Sequence, residues 1–427
     1  MSNYRIKTLL LSSGERLPIL VNNSSGQPLY HTTMYTMAKL RAKNQSTGTI
    51  EQSLRAITIF LIFLDSHEIN FIERLKNGTI LDLCEIDEIT RLCKIPMKKI
   101  NEMFQNDTNR TTRNNTKSLE QYRMSLNLHK ENEICGHTVS IRIIRIRDYI
   151  LWITNEVLLS IDPKNNAYMP LLSKKNIVLS SMNAKIPSSR GKSTAEPREG
   201  LSHNYQTRLL EVIAPEAKEN PWISDHVRKR NELMVLYLYL HGLRRGELLN
   251  IKISDIDFRK NEILIARRSD DSEDPRLNQP KVKTLARKLM ISDNLAEKTK
   301  KYIQKERKNI PGSKKHPFLF VSEIKGTPLS LNALNKVFRI LRKKVEAFPS
   351  NLSPHVLRHT WNDIFSERME EKKITEEKEK KIRSYLMGWS PTSDTAATYT
   401  RRYVRKKAQE VSLEMQRKLI KDSINDK

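Results

Sequence analysis

The chain has 427 residues, room for two or three domains with cores of their own. Its 76 lysines and arginines outnumber 49 aspartates and glutamates, giving a formal net charge of +27 and a pI of about 9.9. That excess excludes basic partners and favours a polyanion, nucleic acid first; a membrane surface is the rival, but no long basic amphipathic helix with a Trp/Phe face is present.

Residues 6–30 alternate and turn, which predicts a short β-hairpin or extended arm within a segment 1–32. A helical domain is expected over 33–180. Thr49-Ile50-Glu51-Gln52 fits a capping box that opens an apolar helix over 53–64. The longest apolar runs, 57–64 and 233–240, are too short to span a bilayer. Residues 81–100 predict more helix, ending or restarting at Pro96, and the polar stretch 101–127 predicts an exposed loop. Over 138–158, Val139, Ile143, Ile146, Ile150 and Ile153 fall on one helical stripe. Arg142 and Arg145 lie off it, either on a solvated face or against DNA backbone.

Residues 181–202 have the Ser/Lys/Arg/Gly/Pro composition of a basic linker. A second domain is expected over 203–427. Its first strong helix, 228–241, closes at Gly242 in a left-handed cap. Strands are expected at 251–258 and 262–267, a charged loop at 269–280 and a further strand at 285–292. Helices are expected at 331–347, 356–371, 375–387 and 394–419.

The N-terminus has no signal-peptide pattern, so the protein is expected in the cytoplasm, with the nucleoid in a prokaryote. Cys84, Cys93 and Cys135 have neither zinc-type spacing nor the even count of a disulfide framework. No phosphate-binding loop, HExxH pair or ordered ligand cluster occurs, so neither a metal nor another cofactor is expected.

The second domain carries a series of residues suited to one substrate. Arg244 follows Gly242-Leu243, Glu247 comes three residues later, and Lys283-Thr284 follows. Then come His355-Val356-Leu357-Arg358-His359, Gly388-Trp389 and Tyr399. Together they supply two guanidiniums, an ammonium, imidazoles, an indole N–H and a phenol, an inventory for holding a phosphodiester while a hydroxyl attacks it.

In this order the motifs resemble the tyrosine recombinase (phage integrase) family, and the likeness runs from about residue 33 to 420. It implies a mainly α fold with a small antiparallel β-sheet in the catalytic domain. It also implies a C-shaped clamp of two domains, a helical core-binding domain and a catalytic domain. Arg244 and Arg358 match the family arginines that hold the scissile phosphate, and Glu247 would brace Arg244. His355 matches the histidine that takes the nucleophile's proton, with His359 in support. Lys283 matches the hairpin lysine that acts as general acid, with Lys281 as the competing register. Trp389 stands where many members have histidine; its indole can donate a hydrogen bond but cannot shuttle a proton. Tyr399 matches the nucleophile, with Tyr403 one turn on as the alternative.

The resemblance implies site-specific cleavage and rejoining of double-stranded DNA through a 3′-phosphotyrosyl bond, for integration or excision of a mobile element, without metal or other cofactor. It further implies a homotetramer on paired sites, with accessory recombinases as further candidates. A tail over 401–427 would dock on a neighbouring subunit, using Val404, Val411, Leu413, Met415 and Leu419. Relaxation of the type IB topoisomerase kind shares the chemistry, and a non-catalytic DNA-binding homologue shares the fold.

Overall fold

The computed structural model describes residues 3–107, 133–188, 199–268, 270–346, 348–390, 392–393 and 395–425. The expected loop beyond residue 107, and positions 189–198 of the expected linker, lie outside these residues. The fold is mainly helical with two small antiparallel sheets. The chain divides into two compact units, one of residues 1–11 and 16–193, the other of residues 12–15 and 194–427.

The first unit opens with a hairpin, β1 (Tyr4–Leu10) and β2 (Arg16–Asn22), with Ile6 opposite Leu20. The buried Leu17, Ile19, Leu20 and Val21 of β2 make it the inward strand. Helices follow at α1 (Tyr30–Tyr35), α2 (Thr47–Ser66), α3 (Phe71–Lys76), α4 (Leu83–Leu92), α5 (Met97–Asp107), α6 (Gly136–Ser160) and α7 (Tyr168–Ala184). The core is α2 against α6. Ile50, Leu54, Ile57, Phe60 and Phe63 meet Val139, Ile143, Ile146, Ile150 and Ile153, all buried. The stripe read on α6 is thus the core face of that helix.

Four expectations for this unit need correction. The cap of α2 is Ser46, whose hydroxyl accepts from the Thr49 amide at 3.3 Å, so the helix begins at Thr47 and not at 53. At 20 residues, α2 is long and apolar enough to cross a membrane by length and composition, yet most of it is buried inside the unit. Residues 101–107 are the end of α5 and not loop. Helix α7 runs through the expected domain boundary to Ala184. Leu171, Val178 and Met182, seven and four residues apart, form a buried stripe that its Ser/Lys-rich composition conceals.

The second unit begins with α8 (His203–Ile213) and α9 (Asp225–His241). Helix α9 buries Leu233, Met234, Val235, Tyr237 and Leu238 and ends at Gly242, whose φ of 58° is left-handed. A one-turn helix, α10 (Arg245–Leu249), follows directly. The sheet has the order β3 (Ile256–Asp257), β4 (Glu262–Ile265), β5 (Arg287–Met290), with Ile263 opposite Leu289. Within the segment expected as strand over 251–258, residues 253–255 form a 3-10 turn and two residues make β3.

Helices α11 (Asp293–Lys301), α12 (Leu331–Lys344), α13 (Pro354–Glu371), α14 (Glu376–Met387) and α15 (Thr395–Asn425) complete the unit. Helix α13 packs on α9 and on α15. Its start is fixed by the Ser353 hydroxyl, which accepts from the Val356 amide, and by Pro354 in the first turn. That is two residues earlier than the sequence suggests, and it puts His355 and Arg358 on one helix, one turn apart.

The charged loop at 269–280 is tied down. Lys252 pairs with Asp271 at 2.7 Å and Glu273 at 2.5 Å, and Arg276 pairs with the buried Asp274 at 2.8 Å. The Asn250 amide donates to the Pro280 carbonyl. The loop therefore delivers the chain to Lys281 from a fixed point.

Candidate active site

Three turns of the second unit meet around one buried carboxylate. The first is the turn from Gly242 into α10. There the Arg244 amide donates to Glu247 Oε2 at 2.9 Å, and Arg244 Nη1 lies 3.6 Å from Glu247 Oε1. Arg244 Nη1 is a buried donor with no hydrogen-bond acceptor among the described residues.

Arg358 comes from the first turns of α13 and is buried. Its Nη1 donates to the Gly242 carbonyl at 2.5 Å, and its guanidinium lies 5.3 Å from the centre of the Trp389 ring. Burial first, then the nearby charge of Arg244, pulls its pKa down to about 10. It therefore stays cationic at neutral pH. An anion between the two arginines would offset their repulsion.

The sequence reading misses the residue that holds Glu247. Arg287, buried at the inward start of β5, sets Nη2 3.1 Å from Oε2 and Nη1 3.4 Å from Oε1. The Thr284 hydroxyl donates to Oε1 at 2.5 Å. Burial on its own would raise the Glu247 carboxyl; Arg287, Arg358 and the hydrogen bonds override it and hold the group below the usual carboxylate range. Glu247 thus braces more than Arg244. An arginine in an inward strand position was the available signal for a buried ion pair.

Lys283 stands next to Thr284 with its side chain exposed, on the loop ahead of β5. Lys281 lies on the same segment, where its backbone presses on α10. A Cβ at Gly246 would sit 2.2 Å from the Lys281 carbonyl oxygen, so only glycine allows this approach. Both lysines thus ride on a segment fixed against α10.

The third turn carries Trp389 after Gly388, whose φ of 64° is left-handed. The Trp389 ring stacks on Tyr399, with centroids 5.4 Å apart and planes 14° apart. Its indole N–H is buried with no hydrogen-bond partner among the described residues. On the other side, His359 lies 5.5 Å from the Tyr399 ring, and His355 lies 4.4 Å from His359. His355 is exposed and His359 buried. Arg244, His355, Arg358, His359, Trp389, Tyr399 and Glu247 are therefore linked by direct contacts into one cluster. Tyr403 is elsewhere: its hydroxyl donates to the Glu370 carboxylate, and burial and that bond raise its pKa.

The arrangement has the parts for displacement at phosphorus. It offers guanidinium and indole donors, exposed imidazole and ammonium groups, and a phenol between them. Residues 210–406 match the phage integrase family. That segment of the chain is similar to a phage integrase domain.

Among curated relatives, the chain is 29% identical over 219 residues to the tyrosine recombinase XerA of Pyrococcus furiosus, which covers 51% of this chain and 60% of that one. The XerA of Pyrococcus horikoshii is 27% identical over 187 residues, 42% of this chain and 58% of that protein. The chain thus spans about three fifths of the length of these relatives. Among solved structures, a Tn1549 transposon integrase in complex with transposon right end DNA superposes with a TM-score of 0.41 at 16% identity, over 78% of this chain and 100% of that one. The XerA recombinase superposes at 0.36 and 15%, over 89% and 97%.

The two arginines expected at a DNA interface belong to the first unit. Arg142 donates to the carbonyls of Cys93 at 3.1 Å and Ile95 at 2.6 Å, so its guanidinium closes the end of α4. Arg145 is half-buried near Tyr35.

Proposed function

We propose that the protein is a site-specific DNA recombinase that breaks and rejoins DNA strands through a tyrosine. The observation that carries the reading is Tyr399 lying against Trp389 and His359, with Arg358 behind Trp389 and Arg244 beside Arg358. Arg244 and Arg358 hold the non-bridging oxygens of the scissile phosphate, and the indole N–H of Trp389 adds a donor. The Tyr399 oxygen attacks phosphorus as its proton passes to His355. The bond to the 5′-oxygen breaks, and Lys283 protonates that oxygen as it leaves. The products are a 3′-phosphotyrosyl bond and a free 5′-hydroxyl. The link keeps the phosphodiester's bond energy, so a partner strand's 5′-hydroxyl reverses the step and releases the tyrosine.

The net charge of +27 supports double-stranded DNA as the substrate. The first unit serves as the core-binding domain and the second as the catalytic domain. Strand exchange requires two duplexes and so four copies. Val404, Val411, Leu413 and Met415 of α15 are exposed and supply an apolar surface for a neighbouring copy. Movement of a mobile element is the biological setting this reading favours, in the cytoplasm with the nucleoid, where other recombinases are candidate members of the same complex.

The test is incubation with nicked duplexes carrying the DNA ends that flank the gene, in EDTA, followed by denaturing electrophoresis. A protein–DNA adduct and exchange of strands between two labelled sites are expected. No adduct in EDTA, with cleavage appearing only when a divalent metal is added, contradicts the mechanism; relaxation of a supercoiled plasmid carrying the same ends, without strand exchange, replaces the recombinase with a topoisomerase.

A further inference from the structure

Arg287 is a buried guanidinium without access to a substrate: its side chain is 1% exposed. Whatever it does for the reaction it must do through other residues. Its own contacts join α10, the loop that carries Lys283 and the end of α14. Nη1 and Nη2 hold Glu247, Nε donates to the Leu386 carbonyl at 2.6 Å, and Nη1 lies 3.5 Å from the Thr284 hydroxyl beside Lys283. The Gly388 turn closes over it. A Cβ at Gly388 would be 2.6 Å from Nη1, and the Leu285 amide donates to the Gly388 carbonyl at 2.9 Å.

Charge balance gives these contacts a purpose. Glu247 faces three guanidiniums, with Arg287 nearest, Arg244 next at 3.6 Å and Arg358 at 4.0 Å. A buried carboxylate must be compensated by a paired cation. Because Arg287 supplies that charge, Arg244 and Arg358 keep theirs for the phosphate. Without it, the carboxylate would draw the two phosphate-binding arginines inward.

We infer that Arg287 is a positioning residue that neutralises Glu247 and thereby leaves the Arg244–Arg358 pair free to bind and stabilise the reacting phosphate. This inference rests on the recombinase reading above.

The experiment is single-turnover cleavage of a nicked half-site by the full chain, with half-site binding and thermal melting measured on the same samples. Arg287→Met should slow adduct formation by about 100-fold, the scale for losing a preorganised donor to a developing oxyanion. The paired variant Glu247→Gln/Arg287→Met, which removes the carboxylate's charge with its partner, should regain at least about tenfold over Arg287→Met alone. A role confined to packing would show no such rescue. Arg287→Met cleaving within about threefold of wild type, or a pair no faster than the single variant, overturns the inference.

Should Arg287→Met not fold, Arg287→Lys and the pair carry the test. They should cleave within about tenfold of each other, and a pair roughly 100-fold slower than Arg287→Lys overturns it. Absence of any adduct from the wild-type protein overturns the recombinase reading instead. Wild-type adduct with an indifferent Arg287→Met overturns this inference alone.

Discussion

Two tyrosines one helical turn apart on α15 have opposite surroundings. Tyr399 lies between Trp389 and His359. Tyr403 donates to Glu370, a carboxylate that opposes its ionisation. Tyr399→Phe should therefore abolish the covalent adduct, and Tyr403→Phe should keep cleavage within about threefold of wild type. Glu247 makes a second prediction, in stability. Its folded pKa is depressed below the ordinary 4.5. The stabilisation it brings is thus fully present above about pH 4.5 and is lost as pH falls through the folded value. Thermal melts from pH 7 to pH 3 should show this acid loss in wild type and a flatter profile in Glu247→Gln; parallel profiles would contradict it.

At the scale of elements, α6 carries two arginines with different surroundings. Arg142 satisfies two carbonyls near the end of α4, and removing it leaves them unpaired. Arg142→Ala should cost about 1–3 kcal/mol of stability with little change in the salt dependence of DNA binding. Arg145→Ala should do the reverse, lowering the slope of log affinity against log salt by about one if it meets a phosphate. Melting curves and a salt titration distinguish them. Helices with a strong apolar stripe or sharp punctuation were legible in the sequence: α6 by its isoleucines, α9 by Gly242, α13 by the polar turn before it. Helix α7 was not, because its three core residues are spread among serines and lysines. Glu247 was legible as a neighbour of Arg244, whereas Arg287 was not legible as its partner, since that pair forms only when β5 folds against α10. The lysine register stayed open for a similar reason, because a tied-down loop and not strand alternation sets the position of 281–284.

At the scale of the molecule, a strongly basic chain folds into two helical units, and the second gathers the residues proposed to bind the phosphate and attack it. Residues that share no local sequence, from Arg244 to Tyr399, come together because α9, α13 and α15 pack side by side and β5 supplies the cation at the centre. The exposed apolar residues of α15 are the surface proposed for a neighbouring copy. The account stands or falls on the covalent bond. The most direct measurement is mass spectrometry of the DNA-linked peptide released by protease from an adduct formed in EDTA. The account predicts a single modified tyrosine, Tyr399, joined to the 3′-phosphate. A link through Tyr403 or any other residue, or a 5′-phosphate attachment, would contradict it.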